Sequence, residues 1–303
     1  MINLFKRAMV ASLLAGLVAS LPAFAQLDIT TREGVVAANR KIQCSTIDNE
    51  EKTYVWHGKG YSRVRGEPDR HLFNLLGMNV RQCTTVKNDK GQEGYRMVSR
   101  EIMLYLDPKT DKLMTKWQNP WTDAELEVIH VANDPVNQRP SFGLNRAGKV
   151  QPLPIRVLGE FWQMNIEVPL FYHNILAGDY QKYVGGTYHA TEIFDFYGIY
   201  ADLVDPQTTS VNPGVAWVRI ADWLPWMEMR GREGILYFNA QGVKLNAWDE
   251  LPELMKNQIA KNYPEYTNAP PVDDDRPNET SWTFFKKVLD QRAEQEKSGG
   301  EGH

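Results

Sequence analysis

Two groups in this chain have the type and setting to move a proton, one histidine and one glutamate. His130 lies in VIHVANDPVNQRP, Val128–Pro140, where a β-branched run breaks into an Asn-Asp-Pro-Val-Asn corner. In an extended chain Leu126, Val128, His130 and Ala132 share a face, so the imidazole sits on the apolar side. It is then either a core histidine bonded to the backbone or a base at the rim of a site, with Asn133, Asp134 and Asn137 turning the chain beside it as binding residues. The Asx residues also have a structural use, because such side chains cap turns and Asp134 precedes Pro135. Glu101 lies in Tyr95–Leu106, where alternation puts Tyr95, Met97, Ser99, Glu101, Met103 and Tyr105 on one face. The other face carries Arg96, Val98, Arg100, Ile102 and Leu104. A carboxyl buried among aromatic and sulfur groups has its pKa raised toward the range of a general acid or base, whereas one facing water does not.

Further candidates come from TYHATEIFDFYGIY and AWVRIADWLPWMEM. In the first, His189, Thr191, Ile193, Asp195 and Tyr197 form one face, which reads as a polar lining, and Tyr188, Glu192, Phe194 and Phe196 form the other. Asp195 is expected to orient or stabilise, and Tyr197 to support a developing oxyanion. In the second, Arg219 shares a face with Trp217 and Trp223, where it could bind a carboxylate or phenolate or stack on an indole. Nine tryptophans suit an apolar or aromatic ligand, or else fill the core and the gaps beneath flanking helices. The six histidines show no HxH or HExxH spacing, so no metal site is expected; GxSxG, P-loop and GxGxxG signals are absent, and no cofactor is expected.

These residues need a frame. Thr30–Ser45 places Val35, Ala38 and Ile42 at helical spacing behind a threonine, which predicts one short helix. From Tyr54 to Leu245, aromatic and β-branched runs alternate with turn clusters such as Gly66-Glu67-Pro68-Asp69 and Asn212-Pro213-Gly214. Short strands at such spacing predict a mainly β, antiparallel domain. The strands expected are 54–64, 71–86, 95–106, 113–118, 126–132, 161–171, 187–203, 215–223 and 234–243, with 140–154 and 174–186 as irregular connections. Short links among so many strands favour an up-and-down, lipocalin- or calycin-like β-barrel able to hold a small ligand. Helices are expected at 250–259 and from Trp282 to about Glu296, joined by a proline-rich strap over 263–278, with a disordered tail at 298–303.

The first 25 residues read as a secretory leader: Lys6 and Arg7, an apolar run Ala8–Leu21 too short to span a bilayer, and an Ala23-Phe24-Ala25 cleavage site. Cleavage after Ala25 would leave 303 less 25, or 278 residues, read as a single domain over 26–297 in the periplasm or outside the cell, with no transmembrane segment. Losing Lys6 and Arg7 takes the formal charge from −4 to −6, which speaks against a nucleic-acid partner, since that needs clustered cations. Cys44 and Cys83 are the two cysteines; in an oxidising compartment they form a disulfide, the alternative being two buried thiols.

Several stretches together resemble an uncharacterised bacterial family, domain of unknown function eighteen-thirty-eight: SREIMLYLDPKTDKLMTKWQNPWT, VIHVANDPVN, EIFDFYGIYADL, WVRIADWLPWMEM, YPEYTNAPP and NETSWTFFKK, with ELP adding little. They run from about Ser99 to Lys287. The resemblance implies no reaction, cofactor or catalytic residue. It covers His130 and not His57 or His189, which favours His130. The sequence therefore points to an exported protein that binds a small apolar or aromatic molecule and acts on it as a cofactor-independent lyase, isomerase or hydrolase. His130 or Glu101 would be the base. The alternatives are a periplasmic carrier or sensor without chemistry, or an envelope protein whose aromatic surface meets another protein.

Overall fold

Thr31 starts the first element, because its hydroxyl accepts a hydrogen bond from Gly34 N–H and caps helix α1 (Arg32–Gln43). Glu33 in the first turn and Arg40 and Lys41 in the last suit the helix dipole. The computed structural model describes residues 25–183 and 187–300. The expected leader, apart from Ala25, lies outside the described residues, as do residues 301–303.

Next come β1 (Lys52–Arg63), β2 (Arg70–Lys87) and β3 (Glu93–Leu106), then a small hairpin of β4 (Lys116–Gln118) and β5 (Glu125–Glu127). β6 (Val131–Asn133) and β7 (Gln138–Ser141) lie along β3. The chain then crosses to β8 (Ile155–Leu158), β9 (Phe161–Tyr172), β10 (Tyr188–Ile199), β11 (Gly214–Ala221) and β12 (Ile235–Lys244), with helix α2 (Tyr200–Val204) continuing β10. Helices α3 (Glu253–Asn262) and α4 (Ser281–Gly300) finish the chain. Strands β7 and β8 fall in or beside the segment expected to be irregular, and both are short and polar or exposed, so they carry little periodic signal. The expected 126–132 strand is split by Val128–His130, and α4 continues through Ser298–Gly300, where a disordered tail was expected.

Ten strands form one antiparallel sheet in the order β6-β3-β2-β1-β12-β11-β10-β9-β8, with β7 beside β6 on β3. Pairing of β1 with β12 joins the two halves of the chain. Among the described residues no pairing links β8 to β6 or β7, so hydrogen bonding does not close the sheet into a barrel. It is nonetheless strongly curled. Strands β3 and β11 are four places apart, roughly 19 Å in a flat sheet, yet Tyr105 on β3 lies close enough to Arg219 on β11 to feel its charge.

Each strand turns alternate side chains into this curl. Trp56 lies flat over Gly77 of the neighbouring strand, where a Cβ would fall 2.1 Å from the indole, so glycine is required there. One end of the interior is stopped by α1. The Cys44–Cys83 disulfide holds the end of α1 on β2, and the buried ammonium of Lys244 donates to the carbonyls of Lys41, Ile42 and Cys44 at 2.6, 3.0 and 2.9 Å. The other end is packed with aromatic rings: Phe73, Tyr105, Trp117, Trp223 and Trp226, with Trp282 and Phe285 from α4. Outside, α3 covers β2 and β3 through Met255 and Ile259 against Met78, Ile102 and Leu104. The strap after α3 lies along the arginine face of β3, where Arg100 donates to the carbonyls of Glu265 and Asn268 and Arg96 to that of Asp274.

Candidate functional site

The inner face of β3 leads from the disulfide end to the aromatic end through Ser99, Glu101, Met103 and Tyr105. Because the arginine face is held by the strap, Glu101 must point inward. Register sets Glu101 opposite Asn133 on β6, and the Asn133 amide donates to Glu101 Oε1 at 2.7 Å. Burial raises the Glu101 pKa and the nearby Glu192 charge raises it further, against the opposing pull of Asn133, Arg219 and Arg81. Glu101 is thus held toward its neutral, proton-bearing form.

Across the interior, Glu192 and Arg219 are direct cross-strand partners on β10 and β11. Their side chains form an ion pair at 2.6 Å, with 11% of the arginine and 20% of the glutamate accessible. The second arm of the Arg219 guanidinium donates to the Tyr188 hydroxyl. Burial pulls the guanidinium pKa down, but Tyr188, Glu192 and Tyr105 outweigh it and raise it above the ordinary value. Tyr105 Oη and Trp226 Nε1 face each other in the buried aromatic end without closing a hydrogen bond of ordinary geometry. The Asn133 Oδ1 is likewise buried and unpartnered.

The cover over these groups is thinnest along β9 and β10, the crevice side of the interior. Their inward side chains Ile166, Val168, Leu170, Glu192 and Phe194 are only partly buried, whereas Leu75, Met97 and Tyr105 on β2 and β3 are sealed. The arrangement sets a few polar groups among apolar side chains: a carboxyl whose pKa burial raises and a neighbouring ion pair. Combinations of this kind occur at sites that orient small molecules and exchange protons with them.

The other sequence candidates lie elsewhere. His130 Nδ1 accepts the backbone N–H of Tyr105 at 3.1 Å, so the imidazole takes the place of a strand carbonyl just beyond the end of β6. Burial lowers its pKa to about 4, against a hydrogen bond with the Met114 backbone. It serves as a joint of the backbone rather than a free base. Asp195 and Tyr197 are exposed on the outer face of β10; Asp195 accepts from the Asn165 amide at 2.8 Å. The inward face of β10 is the opposite one, carrying Tyr188, Ala190, Glu192, Phe194 and Phe196. The signal that could have found it was the lone acid amid four aromatic or apolar neighbours, a sign of burial that outweighs a count of polar residues. Asp134 binds Arg100 and Arg276, and Asn137 donates to the Asp274 carbonyl and exchanges hydrogen bonds with Asn278. Both therefore fasten the strap, and of the three corner residues only Asn133 reaches the crevice. Trp217 packs on Phe238 with centroids 6.0 Å apart beside Arg219, while Trp223 meets Trp121 edge to face with centroids 5.1 Å apart and donates to the Arg232 carbonyl, so it belongs to the aromatic end. Among the described residues no three His, Cys, Asp or Glu side chains converge as a metal would require, and no helix is long and apolar enough to cross a membrane.

Residues 49–289 match the model of a family described as protein of unknown function, DUF1838. The chain belongs to this family. The match begins just before β1 and ends within α4, so the DUF1838 region contains the whole sheet and the crevice, while α1 lies outside it. Neither a curated protein nor a solved structure matches the chain.

Proposed function

We propose that this protein binds a small apolar or aromatic molecule carrying a polar group, and that Glu101 exchanges a proton with it. The curled sheet would serve as a calycin-like container without full closure, and the leader would direct the protein to the periplasm or beyond. The observation that carries the reading is Glu101: a carboxyl anchored by Asn133, with its pKa raised by burial and set near enough to the Arg219–Glu192 pair to feel both charges. A neutral carboxyl can donate to a ligand carbonyl or hydroxyl, and the fixed guanidinium stabilises negative charge developing nearby.

A second reading, a carrier without chemistry, is favoured by one feature. Glu192 is committed to Arg219 and His130 to the backbone, so neither is free to take a proton from Glu101. Native mass spectrometry of the processed protein tests both. The expected result is a retained organic ligand that Arg219→Met loses, with conversion of that ligand or its analogues abolished by Glu101→Gln. Retention with no conversion by the unaltered protein supports the carrier. If Arg219→Met and Glu101→Gln both leave retention and conversion unchanged, the crevice is not the site.

A further inference from the structure

The outer face of β12, β1 and β2 carries a groove on the side of the sheet opposite Glu101 and Arg219. Pairing lays Tyr237, Tyr61 and His71 side by side across the three strands, and the next row along is Asn239, Lys59 and Asn74. The rings of the first row are close neighbours, with centroids 6.2 Å apart between Tyr61 and Tyr237 and 5.2 Å between Tyr61 and His71. The second row, followed by Gln241 and His57, floors a groove of about 470 Å³ walled by Leu106 and Asp111.

The polar groups in and beside this groove are largely uncommitted. Asn74 Nδ2 donates to Asp111 Oδ1 at 2.5 Å, but Asn74 Oδ1 and His71 Nε2 are buried with no partner. Among the described residues, the side chains of His57, Lys59, Asn239 and Gln241 make neither a hydrogen bond nor an ion pair. Buried polar atoms are rarely left unpaired without a ligand or solvent to satisfy them.

We propose that this groove binds a neutral saccharide. Amides both donate and accept, as hydroxyl groups require, and beside them Tyr61 and His71 offer ring surface for the apolar side of a sugar, while Arg63 lies over Tyr237. The single ammonium of Lys59 shares the groove with the Asp111 carboxylate, which disfavours an anion. All three strands are paired on both sides, so an extended peptide has no free edge to join.

The test is isothermal titration of the full-length processed protein with four neutral tetrasaccharides: α-linked glucose, β-linked glucose, mannose and N-acetylglucosamine. We expect saturable binding of at least one, weakened about tenfold or more by the pair Asn239→Ala and Gln241→Ala. Both residues are exposed, so the variant should melt as the parent does. Glu101→Gln should leave this binding unchanged, which separates failure here from failure of the crevice reading. Amide shifts on titration should map to β12, β1 and β2. No saturation with any of the four up to about 10 mM, or binding that the paired substitution does not weaken, overturns the proposal.

Discussion

Replacing Arg219 with methionine should destabilise the protein far more than replacing Arg219 and Glu192 together would suggest. The pair meets at 2.6 Å with 11% and 20% of its side chains accessible, so it is neither sealed nor solvent-exposed. Breaking a buried pair costs about 3–5 kcal/mol, because the surviving charge stays desolvated, whereas an exposed pair contributes about 0–1 kcal/mol. The crevice position lies between, and Tyr188 loses its donor as well, so a cost of about 2–3 kcal/mol is expected. At a urea slope of about 3 kcal/mol per molar, the midpoint should fall by nearly 1 M with the slope unchanged. Adding Glu192→Met removes the stranded carboxylate and should restore at least half of the loss, giving a coupling energy of about 1 kcal/mol or more in a double-mutant cycle. Equilibrium denaturation of the four proteins at pH 7 measures this. Additive losses, or an Arg219→Met midpoint indistinguishable from the parent, would refute the description of the pair as mutually dependent and desolvated.

Two further outcomes follow from the same structure. His130 has its pKa lowered to about 4 in the folded state, so between that value and its unfolded value near 6.5 the unfolded chain binds more protons. Stability should therefore rise with pH through this window and be lost on acidification, by up to about 3 kcal/mol. His130→Asn should flatten that part of the profile in pH-dependent denaturation, and an unchanged slope would show that the imidazole is not held neutral. The disulfide closes a loop with a sequence separation of 39, for which chain entropy gives about 4 kcal/mol. The paired change Cys44→Ala and Cys83→Ala should lower the urea midpoint accordingly, and a loss under about 1 kcal/mol would mean that Lys244 and the α1 packing suffice to hold that end.

The strands of this protein were legible because their signals are local. Alternation in Tyr95–Leu106 and the turn chemistry around Gly66 and Asn212 are properties of a few neighbouring residues, and β1, β2, β3, β9 and β12 emerge within about two residues of where the pattern ends. Thr31 likewise announces α1, and the single pair of cysteines announces the disulfide that joins them. Glu101 was recognisable as one of two sides of a strand, but the choice of side was not local. It depends on the strap, where Arg96 and Arg100 find carbonyls more than 160 residues away.

The remainder belonged to the tertiary structure for the same reason. His130 looked like the best base because its face was apolar, yet its role follows from Tyr105 N–H, an unpaired donor that exists only where β6 stops short on β3. Asp195 and Tyr197 face outward because curling buries the aromatic side of β10. Whether the sheet closes is decided by the register and separation of its edge strands, which no single strand encodes. The sequence by itself determined the β-rich antiparallel class, the helix-capped ends and the family. Only the curl of the sheet, a sum of many strand-to-strand rotations, brought Glu101, Asn133, Glu192 and Arg219 around one crevice.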